Sequence, residues 1–237
     1  MRVLANALSI LGREAVRIVL PARCVACAGE LPWRERTSSC CARCWRALPR
    51  IAGPKCRSCA LSIPDGEHCL ACLQDPLPLD WCEAWGHYRG TLERVLHALK
   101  FERHDFYDAP LARLMASVMR DRDFDVVTCV PTSRARERRR GYNQAELLGR
   151  ALAGQIGIRF DATLLVRRSE GEAQSRLRRT ARLANLRGAF AASPKAKARK
   201  VLLVDDICTT GATLRACAAA LWREEAARIC AIAAARA

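Results

Sequence analysis

From residue 81 onward the apolar positions alternate between two periods. Residues 82–88 (CEAWGHY) read as a strand, and 91–100 (TLERVLHALK) and 109–120 (APLARLMASVMR) as amphipathic helices. Residues 124–130 (FDVVTCV) form a short continuous apolar run, the mark of a strand buried on both faces. Asn143 to Ile156 repeats with helical period, with Asn143 placed to cap it. A weaker strand signal covers 159–166, and the polar, Arg-rich stretch 167–182 reads as a mobile loop. Residues 201–205 (VLLVD) are the clearest strand. A helix over Thr213–Glu225 and a strand over 228–235 (RICAIAAA) close the chain. Strands alternating with helices predict an α/β fold with a parallel sheet.

The first third lacks this pattern. Residues 3–12 (VLANALSILG) put Val3, Leu4, Ala7, Leu8 and Leu11 on one face, so 1–23 is expected to hold an amphipathic helix that Pro21 ends. It is too short for a membrane span, which needs about 20 apolar residues, and it lacks an export signal's cleavage site. Residues 24–80 hold six prolines and little apolar periodicity, so a staple other than a core is expected there.

Cysteine supplies it. Of 14 Cys, ten lie between Cys24 and Cys82, and eight form four Cys-x-x-Cys knuckles: Cys24/Cys27, Cys41/Cys44, Cys56/Cys59 and Cys69/Cys72. Two intervening residues let both thiolates reach one ion, and two knuckles complete a closed tetrahedral set. Two structural Zn2+ sites are expected, in a reducing cytoplasm. Pairing first with second and third with fourth is simplest, with interleaving left open. Cys40 adjoins Cys41 as an alternative ligand. Cys82, Cys129, Cys208, Cys217 and Cys230 sit in apolar runs and read as small core residues. The four His show no ligand pattern.

The formal charge is +16, from 40 Lys+Arg against 24 Asp+Glu, and 35 of the cations are Arg. Such a surplus points to anionic partners, although a general Arg-rich composition would also produce it. The cations are not spread evenly. Residues 134–182 carry 13 Arg against 5 acids, including the run Arg134–Arg140 (RARERRR). That run is either a solvated face or a phosphate-binding surface. Aromatics are 5% of the chain, so a dedicated base-stacking platform is not expected.

The most informative stretch runs from Val201 to Leu214 (VLLVDDICTTGATL). Four apolar residues lead to Asp205 and Asp206 at a strand end, where open α/β sheets bind ligands. The loop Thr209-Thr210-Gly211-Ala212-Thr213 then enters a helix. Its amides, its hydroxyls and the helix N-terminus suit a phosphate. The paired carboxylates repel phosphate but accept hydrogen bonds from hydroxyls. Phosphate beside a polyol points to a sugar phosphate.

This run resembles the phosphoribosyl-pyrophosphate (PRPP) signature of type I phosphoribosyltransferases. In chain order, the cysteine knuckles, Leu99-Lys100-Phe101, Val130-Pro131, Arg140-Gly141-Tyr142-Asn143-Gln144, Gln174 with Arg182 and Asn185, and the signature itself resemble the ComF family, linked to bacterial natural competence. The resemblance implies a type I phosphoribosyltransferase fold over 81–237, after a small double zinc ribbon over 24–80. It implies that Asp205 and Asp206 are the catalytic carboxylates that bind the ribose hydroxyls. Thr209 to Thr213 would hold the 5′-phosphate. Val130, Pro131, Thr132 and Ser133 would form the pyrophosphate loop, with Arg140 and Gly141 beside it and Lys100 as a further phosphate contact. Residues 167–182 are the candidate hood. Mg2+ with PRPP, pentosyl transfer and a role in DNA uptake follow from the same resemblance. So do single-stranded DNA and competence-machinery proteins as partners. A non-catalytic single-stranded nucleic-acid-binding accessory and a sugar-phosphate sensor are the rival readings. No motif names an acceptor.

Overall fold

The computed structural model describes residues 23–32, 40–101, 107–168 and 188–237. The expected helix within 1–23 lies outside the described residues apart from Arg23, as does 169–187, which holds most of the candidate hood with Gln174, Arg182 and Asn185.

Two short helices belong to the cysteine-rich part, α1 (Ala42–Arg46) and α2 (Leu70–Gln74). Then follow β1 (Cys82–His87), α3 (Gly90–Phe101), α4 (Asp108–Ala116), β2 (Val126–Cys129), α5 (Arg134–Arg140) and α6 (Gln144–Ile156). The chain closes with β3 (Leu165–Arg167), β4 (Phe190–Ala192), β5 (Lys200–Cys208), α7 (Ala212–Arg223) and β6 (Arg228–Arg236). The main sheet has the order β1-β6-β5-β2, with every pair parallel. Val127 also forms a parallel bridge to Phe160.

Alternation along β5 and β6 divides the core. Leu202, Val204, Cys230 and Ile232 share one cluster with Leu96, Leu99, Leu111, Met115, Leu148 and Leu152 of α3, α4 and α6. Val201, Leu203, Ile229 and Ala231 share the other with Leu214, Cys217 and Leu221 of α7 and with Leu165 and Phe190. Both faces of the sheet are therefore covered, which is why its central strands read as unbroken apolar runs. Each buried Leu contributes roughly 1.5–3 kcal/mol. The five cysteines expected in the core are all buried.

Three differences from the sequence pattern have clear causes. β5 runs three residues past Asp205, because β6 continues to offer partners as far as Cys208 opposite Arg236. The single strand expected over 159–166 is two pieces. Asp161 accepts hydrogen bonds from the Thr163 amide at 2.8 Å and its hydroxyl at 2.6 Å, forming a turn. Beyond that turn, Leu165–Arg167 pairs antiparallel with Phe190–Ala192 in a second sheet. Finally, RARERRR is a helix with no buried residue.

The cysteine-rich part shares the main core. Cys24, Ala26, Cys40, Cys44 and Leu48 belong to the cluster of α3 and α4. Thr91 donates to the Ala47 carbonyl at 3.0 Å, and Trp45 stacks on Tyr107. Glu83 is buried beneath Lys55 and Arg120, whose cations offset its desolvation.

Candidate functional site

The cysteine sites are built from residues close in sequence. The thiols of Cys24, Cys27, Cys41 and Cys44 converge, as do those of Cys56, Cys59, Cys69 and Cys72, each set within 4.8 Å. First thus pairs with second and third with fourth. Cys27 and Cys41 sulfurs are 4.0 Å apart, and those of Cys59 and Cys69 3.8 Å. A tetrahedron of thiolates 2.3 Å from one ion has an edge of roughly 3.8 Å, so both sets fit a bound zinc ion.

Within each set one sulfur is favoured as thiolate, while burial pushes Cys44, Cys59 and Cys72 up. Burial opposes ionisation of Cys24, yet the amides of Cys41, Ala26 and Cys27 outweigh it and bring the thiol down to about 6. Cys56 behaves alike, its burial outweighed by the amides of Cys69, Cys59 and Ser58, and also falls to about 6. The two knuckles share a backbone shape, since Ala28 and Ala60, each just after a knuckle, both take φ of 59°. Cys40 is not in the first set, and burial pushes its thiol up to about 12. His68 contacts Ser58 through Nδ1 at 3.1 Å and joins neither group.

The second region is the C-terminal end of the sheet. β2 and β5 lie in register through Cys129 and Val204, and the Val130 amide donates to the Val204 carbonyl at 2.9 Å. Val130 to Ser133 therefore leave the sheet beside Asp205 and Asp206. Burial first, and the neighbouring Asp206 charge second, push the Asp205 carboxyl well above the usual range. The Asp206 amide donates to Asp205 Oδ1 at 2.8 Å and partly opposes that rise.

The loop after β5 is held at both ends. The Cys208 carbonyl accepts from the Ala237 amide at 3.0 Å, and Thr210 Oγ1 accepts from the Ala212 amide at 3.3 Å. Thr209 and Thr210 are exposed between them. Gly211 caps α7 with φ of 75°, a left-handed value that glycine adopts without strain.

The motif Arg140 to Gln144 ties the first loop down. Asn143 Nδ2 donates to the Val130 carbonyl at 3.0 Å, while Asn143 Oδ1 accepts from the Ala145 amide at 3.2 Å and caps α6. The Tyr142 hydroxyl donates to the Leu99 carbonyl, next to Lys100. Lys100 lies in the last turn of α3, with its side chain outside the described residues. Arg140 Nη1 donates to the buried Gln144 Oε1 at 2.9 Å. Burial, then the charges of Arg136 and Arg139, lower the Arg140 pKa, while Asp206 acts in the opposite sense. The guanidinium thus feels the Asp206 charge across the strand ends.

The structure brings Asp205, Asp206, Val130–Ser133, Arg140, Gly141 and Thr209–Thr213 to the C-terminal end of the sheet. The knuckle cysteines gather elsewhere, in their two sets. Sequence reasoning missed the partnership of Gln144 with Arg140, which the four-residue spacing across Gly141 hints at. It also missed Leu77, which packs on Gly211 from the cysteine-rich part. No local signal marks that packing.

Comparison with known proteins separates the same two parts. Residues 15–73 match the double zinc ribbon domain family, and residues 108–237 the phosphoribosyl transferase domain family. The chain is 31% identical to the DNA utilization protein YhgH of Salmonella typhi over 224 residues, covering 90% of this chain and 96% of that one. It is 30% identical to competence protein F of Haemophilus influenzae over 203 residues, covering 81% and 87% respectively. Competence protein ComFC of Bacillus subtilis is 29% identical over 186 residues, with 73% and 74% covered. A glutamine PRPP amidotransferase from B. subtilis overlaps 54% of this chain and 26% of its own, at 20% identity and a TM-score of 0.39. Among the described residues no helix is long and apolar enough to cross a membrane.

Proposed function

The chain belongs to the ComF family, with a phosphoribosyltransferase domain behind a double zinc ribbon, and from that premise we propose that it binds PRPP with Mg2+ at the ends of β2 and β5. Asp205 and Asp206 accept hydrogen bonds from the ribose hydroxyls. The amides and hydroxyls of Thr209 to Thr213 hold the 5′-phosphate. Val130 to Ser133 receive the pyrophosphate, with Arg140 as its cation and Lys100 as a further contact. The two zinc ions are structural, because four thiolates leave no open position for water.

The supporting observation is the Val130–Val204 hydrogen bond, which sets the loop after β2 beside Asp205 and Asp206. Transfer breaks the bond from the anomeric carbon to pyrophosphate and forms one to an acceptor. Mg2+, when bound, neutralises charge on the leaving group. The chain's own share is to orient the ribose through two fixed carboxylates and to spread the leaving charge over Arg140 and loop amides. Whether the site transfers or senses the phosphoribosyl group is decided by the acceptor. PRPP titrated into zinc-loaded protein with Mg2+ is expected to bind saturably, and pyrophosphate release with candidate bases separates transfer from sensing. Binding unchanged in the Asp205→Asn, Asp206→Asn double variant would sink the proposal.

A second reading rests on α5, whose residues Arg134 to Arg139 are all exposed. Arg134, Arg136, Arg138 and Arg139 suit the backbone of single-stranded DNA. The relatives' names, competence protein F and DNA utilization protein, favour a role in DNA uptake, which we place in the cytoplasm alongside competence-machinery proteins. The two readings are compatible, with PRPP as a ligand that gates nucleic-acid binding.

A further inference from the structure

The two ribbons dock on different parts of the molecule. The first packs on α3 and Tyr107, within the larger core cluster. The second reaches the loop between β5 and α7. Leu77 is buried in one small cluster with Cys56, Cys59, Cys69 and Cys72. Its other side covers Gly211, where an added methyl group would lie 2.8 Å from Leu77 Cδ1 and 3.1 Å from Cδ2.

Polar contacts flank that packing. Arg215 Nη2 pairs with the Asp75 carboxylate at 3.0 Å and donates to the Asp75 carbonyl at 3.0 Å. Trp222 Nε1 donates to the Pro78 carbonyl at 2.9 Å. At the strand end, Arg236 donates through Nε to the Cys59 carbonyl at 2.8 Å and through Nη1 to the Cys208 carbonyl at 3.2 Å. Both ends of the loop, Cys208 and Gly211, are therefore held against the second ribbon.

We infer that the second ribbon is a positioning element for the sugar-phosphate loop, with Leu77 as its contact residue and metal in the second four-thiolate set as its support. The ligand part of this inference rests on the PRPP reading above. The buried part of this cluster is four cysteines and one leucine, with Ile63 and Leu79 only partly buried against it, which is too small to stay closed without an ion. Once the cluster opens, Leu77 leaves Gly211, and glycine regains more conformational freedom than any other residue. Binding must then order the loop, and affinity falls by that cost. Because such coupling is reciprocal, a bound sugar phosphate also tightens metal in the second set and leaves the first unaffected.

Hydrogen exchange of the 209–215 amides tests this without any ligand. Protection there is expected to fall in Leu77→Ala and in the Cys69→Ser, Cys72→Ser pair. It should hold in the Cys41→Ser, Cys44→Ser pair and return in Leu77→Met. Amides of 201–204 serve as the control for global unfolding. In the same affected variants ribose 5-phosphate affinity should fall roughly two- to thirtyfold, the range carried by packed side chains between sites. Unchanged loop exchange in Leu77→Ala overturns the inference, as does equal loss in both cysteine pairs with 201–204 intact. If the cysteine pairs unfold altogether, Leu77→Ala against Leu77→Met decides. If wild-type protein binds no sugar phosphate while loop exchange still follows Leu77, the PRPP reading fails and the positioning role stands.

Discussion

The amide of Val130 donates to the carbonyl of Val204 at 2.9 Å, joining the residue after β2 to the residue before Asp205. The loop after β2 thereby leaves the sheet beside Asp205 and Asp206, while β5 continues to Cys208 before its own loop begins. Asn143 secures the arrangement by donating to the Val130 carbonyl and capping α6 with the same side chain.

Asn143→Ala removes both hydrogen bonds. Loss of a cap costs about 1 kcal/mol, and a buried carbonyl left unpaired costs about 1–3 kcal/mol. Urea unfolding should show a combined loss of about 2–4 kcal/mol. Asn143→Asp keeps the cap acceptor and loses the amide donor, so it should fall between wild type and Asn143→Ala. Equal stability of all three would show that the Asn143 side chain contributes nothing.

Asp205 is expected to lower stability where it serves binding. Its folded pKa is raised, so above the unfolded-state value of about 3.9 the native state holds more protons than the unfolded chain. Stability therefore falls as pH rises from there through the folded pKa. Asp205→Asn should raise the Tm by a few degrees at pH 8, flatten this pH dependence and abolish PRPP binding. A lowered Tm in that variant at pH 8 would contradict the desolvation argument.

Arg140 should act on the pyrophosphate end alone. Arg140→Met, and Gln144→Leu through removal of the 2.9 Å hydrogen bond, are expected to weaken PRPP binding about tenfold or more, since charge-assisted hydrogen bonds contribute about 1.5–3 kcal/mol. Ribose 5-phosphate, which lacks the pyrophosphate, should bind both variants like wild type. Paired losses for the two ligands would place Arg140 elsewhere.

The α5 arginines can be changed without touching the core, because α5 buries none of its residues. Replacing Arg134, Arg136, Arg138 and Arg139 by Gln should leave the Tm within a degree or two. The slope of log affinity for single-stranded DNA against log salt should shrink by about 0.7 for each phosphate that is no longer neutralised. An unchanged slope would remove α5 from any nucleic-acid surface.

Much of this site was legible in the sequence, for physical reasons that can be named. Val201–Val204 are buried on both faces, so they had to read as an apolar run, and the carboxylates that follow could hardly be core residues. The knuckles were legible because metal ligation is local. The helix at Arg134–Arg140 was hidden by its charge, although Ser133 caps it by accepting from the Arg136 amide at 3.3 Å and Gly141 stops it at φ of 84°. Both signals are present in the sequence. The Leu77–Gly211 packing was not legible at all, since a meeting of residues 77 and 211 depends on how the ribbon docks.

The most direct measurement is hydrogen exchange on zinc-loaded protein, with and without saturating PRPP and Mg2+. Simultaneous protection of the amides at 132, 133 and 209–213 is the predicted result, because one ligand must span both loops. Protection confined to the ribbons or to α5, or to neither loop, would contradict the account.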